Sequence, residues 1–247
     1  MIRAVLFDLD DTLLSLNLTA FIARYAKGAS ELLAEASRQP TARVFAAYAR
    51  AFLAVEQNDG SRALTNEQLF NEAFLAGCGV PLDDPAVADL IAYYEHDMLP
   101  SYREGIVRAC PREGARAAVD QVWDLGLACA LATNPTFSLA CDKVRMAWAG
   151  VWEDDFARIS TWSNSTRVKP HAAYYQEFVE PMGLRLEECL MVGNDSKRDF
   201  ARPACGLRTA YVGHAHPQKA VWSGTLAEFA VALPRIVEEL DAADARK

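Results

Sequence analysis

The chain opens on a four-residue apolar run, Ala4-Val5-Leu6-Phe7, that passes directly into Asp8-Leu9-Asp10-Asp11-Thr12. A run that is apolar at every position, without alternation, suits a strand covered on both faces, as in a parallel sheet. The same form recurs at residues 127–132, ahead of Thr133-Asn134, and at Cys189-Leu190-Met191-Val192, ahead of Gly193-Asn194-Asp195. Fainter strand signals lie at 158–161 and 209–212. Helical patterns separate them, at 113–125, 137–147, 172–182, 199–205 and 226–240. Strands joined by helices of this length imply right-handed crossovers and a doubly wound parallel α/β sheet.

One stretch breaks the alternation. For roughly ninety residues after the first strand there is no convincing strand signal, only helical spacing. Residues 18–37 and 41–56 carry apolar side chains at helical intervals, with Pro40 between them. Thr65 and Gln68 form a capping box for a helix that Gly77 and Gly79 end. Asp84 caps a further helix with Pro85 at its first position, running to about residue 98 before Pro100. The expected layout is a core of residues 1–15 and 105–247 with an all-helical domain, residues 16–104, inserted after the first strand.

Composition limits the function. A formal net charge of -8 disfavours nucleic acid as a partner, since a polyanion is repelled. No apolar run is long enough to cross a bilayer, and Met1-Ile2-Arg3 leads straight into the strand without a signal-peptide pattern. Six scattered cysteines, with no Cys-x-x-Cys pair, read as reduced packing residues. The expectation is a cytoplasmic protein with no membrane partner. Oligomeric state is not legible.

In a parallel sheet ligands bind at the carboxyl ends of the strands. Those ends supply Asp8, Asp10 and Thr12, then Thr133 and Asn134, then Lys169 at a helix entrance, and finally Asn194, Asp195 and Asp199. Together these groups suit phosphoryl transfer. One carboxylate attacks phosphorus, and a second acid protonates the leaving oxygen and later deprotonates water. Carboxylates repel a phosphate dianion, by several kcal/mol at about 4 Å and intermediate dielectric. Mg²⁺ on one or two carboxylates removes that obstacle. Lys169 adds a second positive charge, and Thr133 and Asn134 donate to the phosphate oxygens.

These segments resemble the four motifs of the haloacid dehalogenase superfamily, in that family's order. Residues 5–13, with Asp8-Leu9-Asp10-Asp11-Thr12, resemble the first; Leu131-Ala132-Thr133-Asn134 the second; Arg167-Val168-Lys169-Pro170 the third; and Met191-Val192-Gly193-Asn194-Asp195 through Asp199 the fourth. The resemblance implies that Asp8 is nucleophile and metal ligand. Asp10 is then the general acid/base, with its backbone carbonyl on the metal, and Thr12 sets the turn and orients the acid. Thr133 and Lys169 bind phosphate. The insert falls where the family's C1 cap sits. The implied function is a magnesium-dependent phosphatase acting on a small phosphorylated metabolite. The alternatives are a sugar-phosphate mutase and a non-catalytic binding or regulatory protein with an altered metal site.

The fourth motif departs from the commoner pattern, because Asn194 stands where many relatives carry Asp. Either Asn194 ligates magnesium through its side-chain oxygen or Asp195 supplies the charged ligand, with Asp199 orienting the site or holding a metal-bound water. His171, His214 and His216 read as surface or loop residues, and Trp148 and Trp152 as core packing. Residues 93–96 read as an amphipathic helix face. Lys169→Ala is expected to remove activity and leave thermal stability intact.

Overall fold

The computed structural model of the chain describes residues 1–246. Strand β1 (Ala4–Phe7) is followed by a two-residue strand β2 (Leu14–Ser15) and four helices, α1 (Leu18–Ser37), α2 (Thr41–Glu56), α3 (Asn66–Cys78) and α4 (Pro85–Tyr93). Strand β3 (Cys110–Pro111) then pairs antiparallel with β2, Leu14 opposite Pro111. The remainder alternates: α5 (Ala115–Asp124), β4 (Ala128–Leu131), α6 (Leu139–Ala149), β5 (Arg158–Ile159), α7 (Ala172–Val179), β6 (Cys189–Gly193), β7 (Arg208–Val212), β8 (Trp222–Gly224) and α8 (Leu226–Asp244). The main sheet has six strands, all parallel, in the order β5-β4-β1-β6-β7-β8. The doubly wound α/β fold expected from the apolar runs is the observed one.

The unalternated composition of the central strands has a direct cause. Val5, Phe7, Cys129, Leu131, Leu190 and Val192 face one apolar cluster, while Ala4, Leu6, Ala130, Cys189 and Met191 face another, built on Tyr174, Tyr175 and Phe178. Both faces are covered, so successive side chains point in opposite directions and are all buried. At roughly 1.5–3 kcal/mol for each large apolar side chain withdrawn from water, this is the main anchor of the site-bearing strands.

Local rules place the insert helices. Thr65 and Gln68 form the expected capping box on α3, and Gly79 ends it in the left-handed conformation (φ 78°). Asp84 caps α4, with Pro85 at its start. Beyond Tyr93 the helix does not continue to residue 98 in α form. It widens into a π-helical turn, Tyr94–Met98, and tightens into a 3-10 segment, Leu99–Arg103, at Pro100, which has no N–H to give.

Three further expectations are corrected. Residues 199–205 form no helix: the Arg202 amide donates to the Pro170 carbonyl and the Ala172 amide to the Arg202 carbonyl, so this backbone is paired laterally. Trp152 is 57% exposed, unlike the buried Trp148. Residues 93–96 are not a uniform surface face, since Tyr94 and Glu95 are buried. The short strands β2, β3 and β8 carried no apolar signature.

Glu95 ties α1 to the start of α6. Its carboxylate accepts from Tyr25 Oη at 2.5 Å and from Oγ of Ser138, the α6 cap residue, at 2.7 Å. Burial pushes its pKa above the ordinary value, against those two hydrogen bonds. A carboxyl whose folded pKa is raised favours folding at low pH and costs stability as pH rises from the unfolded value through the folded one. Glu95→Gln keeps an acceptor for Tyr25 and carries no charge. It is expected to raise the unfolding midpoint by about 2–4 °C at about pH 8, for a gain of about 1 kcal/mol, and to confer no advantage below about pH 4. Paired thermal scans at the two pH values measure this. An unchanged midpoint at the higher pH would mean that the hydrogen bonds already offset the burial of charge.

Candidate active site

Sheet register brings the polar strand ends together. Phe7 lies opposite Leu131 on one side and Val192 on the other. The Asp8 amide donates to the Val192 carbonyl at 2.9 Å, and the Ala132 amide to the Phe7 carbonyl at 2.7 Å. Asp8, Thr133 and Asn194 therefore emerge side by side. After Asp8 the chain turns tightly: the amides of Thr12, Leu13 and Leu14 all reach the Leu9 carbonyl, and Leu9 and Leu13 are fully buried. This anchored turn aims Asp8 and Asp10 into one cavity.

Asp8 Oδ1 accepts from Lys169 Nζ at 2.8 Å, and its Oδ2 accepts from Thr12 Oγ1 at 3.2 Å. The same Thr12 hydroxyl lies 3.1 Å from Asn194 Oδ1. Lys169 also donates to Asp199 Oδ1 at 2.7 Å, and its side chain is only 1% exposed. Burial opposes its charge, but Asp199 and Asp8 more than offset that and hold its pKa well above the ordinary value. Burial raises the Asp199 pKa, with Lys169 acting against it. The other Asp199 oxygen accepts from the Asp195 amide at 2.9 Å. Gly193 lies against the Asp199 carboxylate, where any Cβ would collide with it.

Asn134 serves two neighbours. Its Oδ1 accepts from the Lys169 amide at 3.1 Å, and its Nδ2 donates to Glu56 Oε1 at 2.8 Å. Thr133 is buried, with its backbone carbonyl accepting from Ser160 Oγ and Tyr174 Oη. Asp195 Oδ1 caps the Lys197 amide at 2.7 Å.

Reasoning from sequence missed three participants. Asp10 Oδ2 is ion-paired at 2.5 Å with Nη1 of Arg145, a fully buried α6 residue that also grips Asp142. The Arg145 guanidinium lies 4.6 Å over the Phe137 ring. Burial raises the Asp10 pKa, with Arg145 pulling it back, and burial lifts Asp142 to about 7. Asp10 Oδ1 and Asp142 Oδ2 are buried with no hydrogen-bond partner among the described residues. The other two are Glu56, at the end of α2, and Arg198, whose Nη2 meets Glu56 Oε2 at 2.7 Å. The i, i+3 spacing of Asp142 and Arg145 was the only sequence signal, and it ordinarily marks a solvated helix face.

A cavity of about 230 Å³ opens over these groups, lined among others by Asp8, Asp10, Thr133, Asn134, Lys169, Asn194, Asp195 and Asp199. Of the residues expected at the site from the motifs, only Thr12 does not line it, and Thr12 touches two that do. His171, His214 and His216 do not line it. Six acids (Asp8, Asp10, Asp11, Glu56, Asp195, Asp199) and two bases (Lys169, Arg198) face the cavity. A dianion would thus enter readily only with further positive charge.

The donors present fit a small hard cation. Asp8 Oδ2 and Asn194 Oδ1 flank one hydroxyl, whose single proton cannot serve both, and Asp195 lines the same cavity. Among the described residues no three His, Cys, Asp or Glu side chains form a ready cage. Magnesium needs none, since it keeps several waters and commonly binds through one or two carboxylates and substrate phosphate.

The likeness to solved structures is one of fold. A HAD phosphatase from Thermococcus onnurineus aligns at 17% identity and TM-score 0.57, covering 94% of this chain and 98% of that one. CbbY from Rhodobacter sphaeroides in complex with phosphate aligns at 18% and 0.55, covering 93% and 96%. L-2-haloacid dehalogenase from Xanthobacter autotrophicus aligns at 16% and 0.52, covering 95% and 99%. No curated protein matches the chain. A family model of haloacid dehalogenase-like hydrolases matches residues 2–200, which hold all four strand ends and the polar groups they bring to the cavity, and the chain belongs to that family.

Proposed function

We propose that the protein is a magnesium-dependent phosphatase that hydrolyses a small phosphorylated metabolite through an aspartyl-phosphate on Asp8. The setting of Asp8 carries this reading: one oxygen is held by a buried ammonium, the other by the Thr12 hydroxyl beside Asn194, at a cavity lined by a second acid. In this scheme residues 1–15 and 105–247 are the core and residues 16–104 the cap.

Asp8 attacks phosphorus as the bond to the leaving oxygen breaks. Asp10, as the general acid, gives that oxygen a proton. The Asp10 carboxylate then takes a proton from water as the water attacks the phosphoaspartate. The bond to Asp8 breaks, inorganic phosphate leaves, and both side chains are restored. Lys169, Thr133 and Asn134 hold the phosphate oxygens. Arg145 fixes the rotamer of Asp10, and Thr12 that of Asp8. Asp8, the Asp10 backbone carbonyl and Asn194 or Asp195 would hold magnesium, which supplies the positive charge a phosphate dianion needs here. Asp199 steers Lys169 and the Asp195 amide.

The cap's contribution favours hydrolase over mutase. From residues 16–104 the cavity receives Leu18, Ile22, Phe52 and Glu56, none of them a cation to hold the second phosphate of a bisphosphate intermediate.

The test is release of inorganic phosphate from 4-nitrophenyl phosphate with and without millimolar magnesium. Magnesium-dependent turnover is expected; its absence would count against the reading. Asp10→Ala is expected to slow esters of poor leaving groups by about 10²–10⁴, and an activated aryl ester far less. Equal losses across a leaving-group series would remove Asp10 from the acid role.

A further inference from the structure

The cavity has two unlike halves. Its floor is the charged and hydrogen-bonding set around Asp8. Its wall is made by Leu18 and Ile22, one helical turn apart on α1, with Phe52 of α2 and Phe137. Leu18, Ile22 and Phe52 are only partly buried, so apolar surface is left facing the cavity. Phe52 and Phe137 meet with ring centroids 5.8 Å apart. In the proposed reaction the phosphoryl group occupies the floor, and the leaving group therefore lies against this wall.

Two of the polar groups beside the wall, Glu56 and Arg198, are committed to each other, which leaves Thr136 next to Phe137 as the nearest lining hydroxyl. Glu56 is the sole polar residue the insert adds to the lining, and it already accepts from Asn134 Nδ2 and from both terminal nitrogens of Arg198. Arg198 is correspondingly occupied. A leaving group rich in hydroxyls would strip water from several of them and find few replacements. Each polar group left unpaired on burial costs roughly 1–3 kcal/mol. An apolar leaving group loses nothing and covers exposed Leu, Ile and Phe surface. The cavity, about 230 Å³, is below the usual range for drug-sized ligands and suits a compact group at the wall.

We infer that the substrate is a phosphate monoester of a compact apolar alcohol or phenol, selected by the Leu18–Ile22–Phe52–Phe137 wall, and not a polyol or sugar phosphate. This inference rests on the phosphatase reading.

Benzyl phosphate and glucose 6-phosphate make a matched pair, each a six-membered ring on a CH2–O–phosphate arm. With magnesium, kcat/KM is expected to be at least about 30-fold higher for benzyl phosphate, the worth of two unpaired groups at the low end of that cost. Phe52→Asn and Ile22→Asn each place a donor and acceptor in the wall and should cut this ratio at least fivefold. Damage to folding alone would slow both esters alike and leave the ratio unchanged; an unchanged ratio in folded variants would overturn the inference. Acetyl phosphate separates the two failures. If it is hydrolysed while glucose 6-phosphate equals or exceeds benzyl phosphate, the apolar assignment fails and the phosphatase reading stands. If neither acetyl phosphate nor the two esters turn over, both fail.

Discussion

Asp8→Asn is expected to lower phosphate-ester turnover by about five orders of magnitude, the scale on which removal of a covalent nucleophile acts. The amide cannot form an acyl phosphate, yet it fills the same volume, keeps an acceptor oxygen for Lys169 and turns its Nδ2 toward the Thr12 hydroxyl, which can then donate to Asn194 Oδ1. Lys169 retains Asp199 at 2.7 Å, so no buried charge loses its last partner. Stability should therefore change by about 1 kcal/mol or less. Steady-state kinetics with a denaturant titration checks both halves. Residual activity within a hundredfold of the parent would remove Asp8 from the covalent role.

The second large effect concerns Lys169, where the structure revises an expectation. From the sequence, Lys169 reads as a phosphate-binding residue whose loss removes activity and spares stability. Here Nζ is buried between two carboxylates, and Asp8 and Asp199 would face each other without it. Lys169→Met is expected to lose at least about 10² in turnover, as for a donor that stabilises transition-state charge. It should also lose about 3–5 kcal/mol of stability near neutral pH, the cost of breaking a buried ion pair from one side. The sign with pH follows from Asp199, whose raised pKa would rise further without the ammonium. Stability of the variant should recover as pH falls and Asp199 takes up a proton, and worsen as pH rises. Millimolar magnesium should restore part of it by binding only the folded form. Urea titrations at about pH 5 and 8, with and without magnesium, measure all three. A variant as stable as the parent at pH 8 would contradict this view of the Asp8–Lys169–Asp199 cluster.

How much was legible in advance follows from the kind of interaction involved. Central strands buried on both faces announce themselves as unbroken apolar runs, and a parallel sheet sends their polar sequels to one edge. Asp8, Thr133 and Asn194 were therefore visible before any register was known. Helix caps at Thr65 and Asp84 are local chemistry and equally readable. What escaped depends on contacts between distant segments. Arg145 on α6 reads as one charge of an amphipathic helix until Asp10 is placed against it, 135 positions away. Glu56 and Arg198 gain meaning only when the end of α2 is set over the loop after β6. Residues 199–205 are expected to be helical, yet Arg202 pairs laterally, its amide with Pro170 and its carbonyl with Ala172. The burial of Lys169 is likewise tertiary, since Asp199 stands 30 residues away.

The asparagine after Gly193 becomes easier to understand in three dimensions. Asn194 Oδ1 shares the Thr12 hydroxyl with Asp8, so a neutral oxygen donor stands where a second carboxylate would repel the first. Asp195 and Asp199 keep negative charge nearby, one lining the cavity and the other paired with Lys169.

The measurement closest to the central claim is acid quenching of the protein during turnover of 4-nitrophenyl phosphate with magnesium, followed by peptide mass spectrometry. One added phosphoryl group is expected on the peptide carrying Asp8, lost on treatment with hydroxylamine and absent from Asp8→Asn. Turnover with no phosphoryl adduct at any quench time, or an adduct on another residue, would contradict that claim.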